Sequence, residues 1–312
     1  MRAFIFPGQG SQSVGMGTAL AEACRTARDV FDEVDEALGQ NLSKLMRDGP
    51  DEELRLTENA QPAIMAHSLA VFRALTQDGG IDLARVANFV AGHSLGEYSA
   101  LCAAGSMDLS TTARLLKLRG RAMQQAVPVG QGAMAALLGA DLALAQKIAL
   151  AAAQGEVCTV ANDNDSSQVV ISGAKGAIDR AVDIAKDMGA KRAVLLPVSA
   201  PFHCPLMQPA AEAMADALSY EVLNAPAVSL YANVTAQPTS DPDTIRNQLV
   251  EQVTGIVRWR ESIANMASAG VEEFVELGGK VLGPMVKRIA PDAKVTSVVT
   301  IEDVEAFAKE IA

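Results

Sequence analysis

The stretch AGHSLGEYSALCAAG, residues 91–105, contains a G-x-S-x-G motif with Ser94 at its centre. A short apolar run, residues 86–91, precedes the motif, and residues 95–104 with helical spacing follow it. Ser94 is therefore predicted to lie in a sharp turn between a buried strand and a helix, where a nucleophilic serine of this motif stands. A side chain at either glycine would crowd such a turn. The alternative is a serine that only caps the helix.

The order of apolar runs along the rest of the chain predicts an α/β fold. Strands alternate with helices, which implies a mostly parallel sheet covered on both faces. After a proline and glycine cluster at residues 128–132 the order becomes β-α-β-β-α-β, that of a ferredoxin-like split unit, and it ends at Pro197. We therefore expect a catalytic domain formed by residues 1–127 and 198–312, with residues 128–197 inserted as a ferredoxin-like subdomain.

The predicted elements have the following approximate bounds. Residues 3–6 form a strand that ends in the glycine-rich loop of residues 7–11, and the Asn- and Asp-rich residues 162–167 form a turn. The other predicted strands are 86–91, 133–138, 157–161, 168–172, 193–196, 227–231, 271–277 and 294–299. The predicted helices are 18–39, 61–76, 95–104, 110–126, 142–153, 174–188, 206–219, 243–253 and 260–268, and a further helix follows a glycine turn at residues 278–279.

The composition limits the class of protein. The 312 residues are 49% hydrophobic and 20% charged, which suits a globular fold, and the net charge of −11 argues against nucleic acid as a partner. The most apolar long segment, residues 133–153, contains Asp141 and Lys147, so no membrane span is predicted. The apolar run that follows Met1 is too short for a signal peptide, and we expect a cytoplasmic protein. The four cysteines form no C-x-x-C pair and no metal-like cluster with the three histidines, so no metal is expected.

A serine hydroxyl needs a general base, and three histidines are available. His93 is adjacent to Ser94, and its side chain is expected to point away from the serine. His67 lies within a predicted helix, which favours a packed or surface residue. His203 lies on a loop between Pro201 and Pro205, and stiff loops at sheet ends commonly hold catalytic histidines. His203 is therefore the favoured base, with an ordinary surface histidine as the alternative.

Arg119 is predicted to point into the protein. In the helix of residues 110–126 it shares a face with Thr112, Leu116, Met123 and Ala126, at spacings of three and four residues. A buried guanidinium requires an anionic partner. Two interpretations stay open: a structural ion pair with a core carboxylate, or a bidentate clamp for the carboxylate of a substrate.

Five motifs occur in an order that resembles one family. They are FPGQGSQ (6–12), GHSLGEYSAL (92–101), LRGRAMQ (118–124), VSAPFH (198–203) and ANVT (232–235). Together they resemble the malonyl-CoA:acyl carrier protein transacylases of type II fatty acid synthesis, over almost the whole chain. The resemblance implies an α/β-hydrolase-like large domain with an inserted ferredoxin-like subdomain.

The resemblance also implies the roles of the site residues. Ser94 and His203 would form a dyad, in which the main-chain carbonyl of Gln252 orients the histidine in place of an aspartate. The backbone N–H groups of Gln9 and Leu95 would form the oxyanion hole.

Selectivity for the acyl group is implied by three further residues. Arg119 would bind the free carboxylate of malonyl, and Met123 and Phe202 would line the acyl pocket. Related acyltransferases that accept methylmalonyl carry a smaller residue at the position of Phe202, so the ring is expected to favour malonyl.

The implied reaction is a ping-pong transfer from malonyl-CoA to the phosphopantetheine thiol of holo-acyl carrier protein, through a malonyl-serine intermediate. No bound cofactor is needed, because the phosphopantetheine arm belongs to the substrates, and we expect a monomer. An acidic carrier requires a local basic patch on this acidic chain. The candidates are Lys191, Arg192, Arg258, Arg260, Lys280, Lys287 and Arg288.

Three other functions share part of this pattern. A serine esterase or thioesterase would use the same nucleophile and base with water as the acceptor. A trans-acting acyltransferase of a polyketide synthase would use the same chemistry with another carrier. A carrier-binding protein without activity would not depend on Ser94.

Overall fold

The computed structural model describes residues 1–311, and these residues form ten strands and fifteen α-helices. The strands are β1 (Arg2–Phe6), β2 (Phe89–Gly92), β3 (Gly132–Leu138), β4 (Cys158–Asp165), β5 (Gln168–Ala174), β6 (Arg192–Leu195), β7 (Ser229–Tyr231), β8 (Pro238–Thr239), β9 (Glu273–Leu277) and β10 (Lys294–Val298). Among residues 1–311 there is no helix with the length and apolar character needed to cross a bilayer.

The helices fall between the strands along most of the chain. They are α1 (Thr18–Ala23), α2 (Arg25–Leu38), α3 (Leu42–Asp48), α4 (Asp51–Leu54), α5 (Thr57–Arg73), α6 (Leu83–Val86), α7 (Gly96–Ala103), α8 (Leu109–Ala126), α9 (Leu142–Ala153), α10 (Lys175–Ala185), α11 (Gln208–Ser219), α12 (Pro242–Thr254), α13 (Trp259–Ser268), α14 (Gly283–Ile289) and α15 (Ile301–Ile311). A π-helical turn at Ala74–Asp78 follows α5, and a 3₁₀ turn at Pro205–Met207 precedes α11.

The larger sheet has six strands in the order β10-β9-β1-β2-β7-β8. All neighbours are parallel except β8, which runs antiparallel to β7. In the register of β1 with β2, Phe6 lies opposite Gly92, the last residue of each strand. The loops after the two strands therefore leave the same carboxyl edge of the sheet side by side, which is where open α/β sheets bind ligands.

Helices cover both faces of this sheet, as the alternating order predicts. The core on one face is formed with α2, α5 and α8, and a second apolar cluster on the other face includes Trp259 of α13 and Val286 of α14. α8 begins at Leu109 because the Asp108 side chain caps it, accepting from the Thr111 N–H at 2.6 Å.

Strands β3 to β6 form a separate antiparallel sheet in the order β4-β5-β3-β6, with α9 and α10 packed on it around an apolar cluster of their own. The observed order of elements is β-α-β-β-α-β, as predicted. A single parallel bridge between Asn162 and Val257 connects this sheet to the segment before α13.

The turn predicted at residues 162–167 is wrong for its first four residues. Asn162 to Asp165 continue strand β4, and the turn consists of Ser166 and Ser167 alone. Asn and Asp favour turns when they are solvated, but these four side chains are buried. Three of them form hydrogen bonds with side chains outside this sheet, those of His93, Arg260 and Arg288. Tertiary contacts therefore override the local preference.

Other boundaries differ for local reasons. The helix predicted at residues 18–39 is broken at Cys24, whose extended backbone ends α1 and whose Sγ accepts from the Ala27 N–H to start α2. Strand β2 begins at Phe89 and not at residue 86, because Val86 ends the short helix α6. The sequence did not predict the helices α3, α4, α6 and α15 or the strand β8.

Candidate active site

Ser94 lies in a tight turn between β2 and α7, as the motif predicts. Its φ angle is 54°, in the left-handed region that side chains seldom adopt. A Cβ at Gly92 would lie 1.9 Å from the carbonyl carbon of Gly96, and a Cβ at Gly96 would lie 2.3 Å from the oxygen of Phe6. Both glycines are therefore required by close backbone contacts, as expected, and the second contact joins the turn to β1.

Asn233, in the loop after β7, holds this turn from both sides. Its Oδ1 accepts from the Ser94 N–H at 2.8 Å, and its Nδ2 donates to the Gly92 carbonyl at 2.7 Å. Its own N–H donates to the buried Glu97 carboxylate at 3.1 Å. The strained backbone of Ser94 is thus fixed by side-chain hydrogen bonds.

The structure brings Ser94 and His203 together. His203 Nε2 lies 2.7 Å from Ser94 Oγ, and His203 Nδ1 lies 2.8 Å from the Gln252 carbonyl oxygen. A carbonyl can only accept, so Nδ1 carries the proton and the lone pair of Nε2 faces the serine hydroxyl. This is the arrangement of a nucleophile with its general base.

The electrostatic environment keeps His203 neutral. Burial lowers the pKa of His203 to about 3, and the nearby Arg119 cation contributes to this fall. An imidazole that is neutral at physiological pH is able to accept a proton.

Two backbone N–H groups border the same space. Within residues 1–311 neither Gln9 N–H nor Leu95 N–H donates a hydrogen bond to the protein, and both residues line the cavity at Ser94. Leu95 precedes the first turn of α7, whose N-terminus favours negative charge. The loop of Gln9 lies close because Gly8 has no side chain: a Cβ there would lie 2.7 Å from the His93 oxygen. The pair is suitably placed to bind an oxyanion.

Arg119 is 1% exposed and lies against the nucleophile. Its Nη2 donates to Ser94 Oγ at 3.2 Å and to Gln252 Oε1 at 2.8 Å, and its Nη1 donates to Gln61 Oε1 at 2.7 Å. In the described part of the chain it forms no ion pair, and its Nε has no acceptor. The structural ion pair that the sequence left open is therefore absent from residues 1–311, where the acceptors of the cation are two side-chain amides and the Ser94 hydroxyl.

Gln252 connects most of these groups. Its Nε2 donates to Glu97 Oε2 at 2.8 Å and to the Ser94 carbonyl at 3.0 Å, in addition to the contacts with Arg119 and His203. Burial raises the pKa of Glu97 to about 7, because the carboxylate loses its water while Gln252 and Asn233 only partly replace it.

The site opens into a cavity of about 390 Å³ between the two sheets. Met123 and Phe202 line it, as predicted, together with Met134 of β3 and Asn162 of β4. Both predicted residues are buried, at 1% and 8% exposure, so they limit the width of the acyl space. Their influence on acyl selectivity remains a prediction.

Within residues 1–311 the side chains of the other two histidines form no hydrogen bond with Ser94 or Arg119, although His93 borders the same cavity. His93 points away from Ser94 as expected, and its Nε2 lies 2.8 Å from Asn164 Oδ1 of β4. His67 is buried in α5 and lines a different cavity, with Gly278 and Thr300.

Of the seven basic residues considered for a carrier patch, three are paired: Arg258 with Glu261, Arg260 with Asp163 and Arg288 with Asp165. Lys287 donates to backbone carbonyls. Lys191, Arg192 and Lys280 are exposed and form no ion pair within residues 1–311. The docking patch stays a prediction that now rests on these three.

Sequence reasoning missed four polar residues of the site: Thr57, Gln61, Glu97 and Asn233. Each is almost fully buried. The spacing of Thr57 and Gln61 was a usable signal, because polar residues four apart in a helix share a face. Glu97 and Asn233 lay inside motifs but had no local pattern that indicated their partners.

The fold and the site are consistent with an acyltransferase. The model of the acyl transferase domain family matches residues 3–282, so the chain belongs to that family. It is similar to malonyl CoA-acyl carrier protein transacylase of Escherichia coli (strain K12), with 44% identity over 288 residues, 92% of each chain.

Solved structures extend the similarity to the whole fold. An acyl-carrier-protein-S-malonyltransferase from Bartonella henselae superposes with a TM-score of 0.97 and 52% identity over 99% of both chains. A malonyl-transacylase solved in complex with its type II PKS acyl-carrier protein superposes with a TM-score of 0.95 and 39% identity, again over 99% of both chains.

Proposed function

We propose that this protein transfers the malonyl group of malonyl-CoA to the phosphopantetheine thiol of holo-acyl carrier protein, and so supplies the extender unit for fatty acid synthesis. The names of its relatives support this substrate and this acceptor. The observation that carries the proposal is Arg119, a buried cation that touches Ser94 Oγ and has no carboxylate partner within residues 1–311. An acyl group with a free carboxylate supplies that partner.

In the first half-reaction Ser94 Oγ attacks the thioester carbon while His203 Nε2 takes its proton. The oxyanion that forms accepts from the N–H groups of Gln9 and Leu95. Collapse of this intermediate releases CoA, whose sulfur takes the proton from His203, and leaves a malonyl ester on Ser94. The malonyl carboxylate at Arg119 offsets the cation that lowers the pKa of His203, so bound substrate strengthens the base.

The second half-reaction repeats these steps with a different nucleophile. The carrier thiol gives its proton to His203 and attacks the ester carbonyl, and the same two N–H groups hold the oxyanion. Collapse returns the proton to Ser94 Oγ and releases malonyl on the carrier.

We also propose the domain division at residues 128–197. The support is the separate antiparallel sheet with its own apolar cluster, whose strand order matches a ferredoxin-like unit. In this arrangement the inserted unit forms one wall of the acyl cavity, and the α/β-hydrolase-like domain supplies the reacting groups.

Intact mass measurement after incubation with malonyl-CoA tests the function. The wild type should gain one malonyl group and lose it on addition of holo-acyl carrier protein, whereas apo-carrier, which lacks the thiol, should leave the adduct in place. Ser94→Ala should gain nothing.

Two results would contradict the proposal. An equal adduct on Ser94→Ala would place the acyl group elsewhere. An adduct that disappears equally fast with and without holo-carrier would indicate a thioesterase.

A further inference from the structure

A chain of buried side chains connects Arg119 to the loop that carries Gln9. Arg119 Nη1 donates to Gln61 Oε1 at 2.7 Å, Gln61 Nε2 donates to Thr57 Oγ1 at 2.9 Å, and Thr57 Oγ1 donates to Gln9 Oε1 at 3.0 Å. The first and last members are the groups proposed to bind the two ends of the acyl substrate.

The direction of every hydrogen bond in this chain follows from Arg119. A guanidinium has donors only, so Gln61 must turn its oxygen to Arg119 and its nitrogen to Thr57. The Thr57 hydroxyl then accepts from Gln61, and its single proton is left for Gln9. The second N–H of Gln61 meets Met123 Sδ at 3.7 Å, which leaves its amide no alternative orientation.

The helical part of the chain is rigid. Thr57 and Gln61 lie one turn apart on α5, with exposures of 0% and 1%. α5 and α8 are in backbone contact here, since a Cβ at Gly120 would lie 2.5 Å from the Thr57 carbonyl oxygen. Gln9, in contrast, is partly exposed on a loop, and its side chain accepts from Thr57. The loop of Gln9 is thus the part whose position can change. The hydrogen bond from Thr57 attaches this loop to α5, which packs against the helix of Arg119.

We infer that Thr57 and Gln61 are positioning residues that set the distance between the carboxylate site at Arg119 and the oxyanion site at Gln9 N–H. The inference rests on the proposed function. A fixed distance between these two anion sites suits a diacid of one length, because a longer diacid that reaches Arg119 places its thioester oxygen out of line with the N–H groups. The two residues therefore determine selectivity for malonyl over succinyl.

The hydrogen bonds that connect Arg119 through Gln61 and Thr57 to Gln9 are called the relay below. Thr57→Val and Thr57→Ser test the relay, with malonyl-CoA and succinyl-CoA as acyl donors and holo-carrier as acceptor. Val keeps the shape and removes the hydroxyl, whereas Ser keeps the hydroxyl. Thr57→Val should lower kcat for malonyl about tenfold at nearly unchanged KM, and should narrow the malonyl-to-succinyl ratio of kcat/KM by about tenfold. Thr57→Ser should retain both values.

Gln61→Glu provides a second variant with a different kinetic signature. Its carboxylate would pair with Arg119 and compete with the substrate, so KM for malonyl-CoA should rise. An unchanged KM in this variant would contradict the assigned hydrogen-bond direction, in which the Gln61 side-chain oxygen accepts from Arg119.

The outcomes separate the relay from the proposed function. A malonyl adduct on the wild type together with equal kcat and equal selectivity in Thr57→Val and Thr57→Ser overturns the relay alone. A fall in kcat with an unchanged malonyl-to-succinyl ratio also overturns it, because general loss of folded protein affects both donors alike. A wild type without any malonyl adduct overturns the proposed function and the relay with it.

Discussion

Arg119 is held in the free protein by three neutral acceptors, the side-chain oxygens of Gln61, Gln252 and Ser94. Neutral amides and a hydroxyl orient a guanidinium without neutralising it. The cation therefore stays available to an incoming carboxylate, at the cost of remaining unpaired in a buried site.

Arg119→Ala should reduce malonylation of Ser94 at least a hundredfold, roughly the effect of losing an oriented, charge-assisted contact. Acylation by acetyl-CoA, which has no carboxylate to pair, should change far less. Single-turnover rates of adduct formation with the two donors measure the ratio, and Arg119→Lys, which keeps the charge without the planar fork, should fall between. A malonyl-to-acetyl ratio that survives Arg119→Ala would remove the carboxylate role from this residue.

The sequence predicted Ser94, His203 and Arg119 because each has a local signature: a turn motif, a proline-bracketed loop and a helix face. Asn233 and Glu97 depend on partners more than 130 residues away in the chain, as in the contact of Asn233 N–H with Glu97 Oε2. No local pattern encodes such a pairing, so only the folded structure shows it.

Strand β4 shows how an element can be misread for a similar reason. Its residues alternate in direction: Asn162 lines the cavity and Asn164 contacts His93, whereas Asp163 pairs with Arg260 of α13 and Asp165 with Arg288 of α14. The pairing of β4 with β5 shifts register twice here, between Val160 and Asn162 and between Asp163 and Asp165. With polar residues in contact on both faces, the alternating apolar signal of a strand is missing. The partners that explain these polar residues lie outside the antiparallel sheet.

Arg288→Ala should destabilise the protein by about 2 kcal/mol, because it leaves the fully buried Asp165 carboxylate without its cationic partner, with only the hydrogen bonds that Ser167 donates to Oδ1. The loss is limited because Arg288 itself is partly exposed. Asp165→Asn should cost less, and the double variant should be more stable than Arg288→Ala alone. Urea unfolding gives these free energies, with Arg25→Ala, from the exposed pair with Asp29, as a control of no measurable effect. If the double variant were the least stable of the three, the pair would not be coupled.

The three histidines give the whole molecule a common response to acid. Burial lowers the pKa of His67 to about 4, that of His203 to about 3, and that of His93 as well. The unfolded chain therefore binds more protons than the folded protein once the pH falls below about 6.5. Their contribution to the free energy of unfolding is complete above that pH and is lost on acidification. Glu97, with its pKa raised to about 7, acts in the opposite sense, since its contribution is lost as the pH rises through 7.

His67→Gln removes the contribution of a single histidine to the pH dependence of stability. His67 is suitable because it lines a different cavity from Ser94 and His203. Between pH 7 and pH 5 the free energy of unfolding of the wild type should fall by about 2 kcal/mol more than that of the variant, since each unit below the unfolded pKa is worth about 1.4 kcal/mol. Urea titrations at the two pH values measure the difference. Parallel changes in both proteins would show that His67 is protonated equally in the folded and unfolded states.

The four-residue run Asn162 to Asp165 has a consequence for engineering. A chimera that takes residues 128–197 from a relative to reshape the acyl pocket would also take the relative's residues at positions 162–165, which contact the rest of the protein. Such a chimera should fold stably only when the relative's segment carries carboxylates that pair with Arg260 and Arg288 of this protein. Otherwise α13 and α14 must be exchanged together with the segment. The segment that must be exchanged is thus larger than the antiparallel sheet, because it includes two helices that lie away from the substrate.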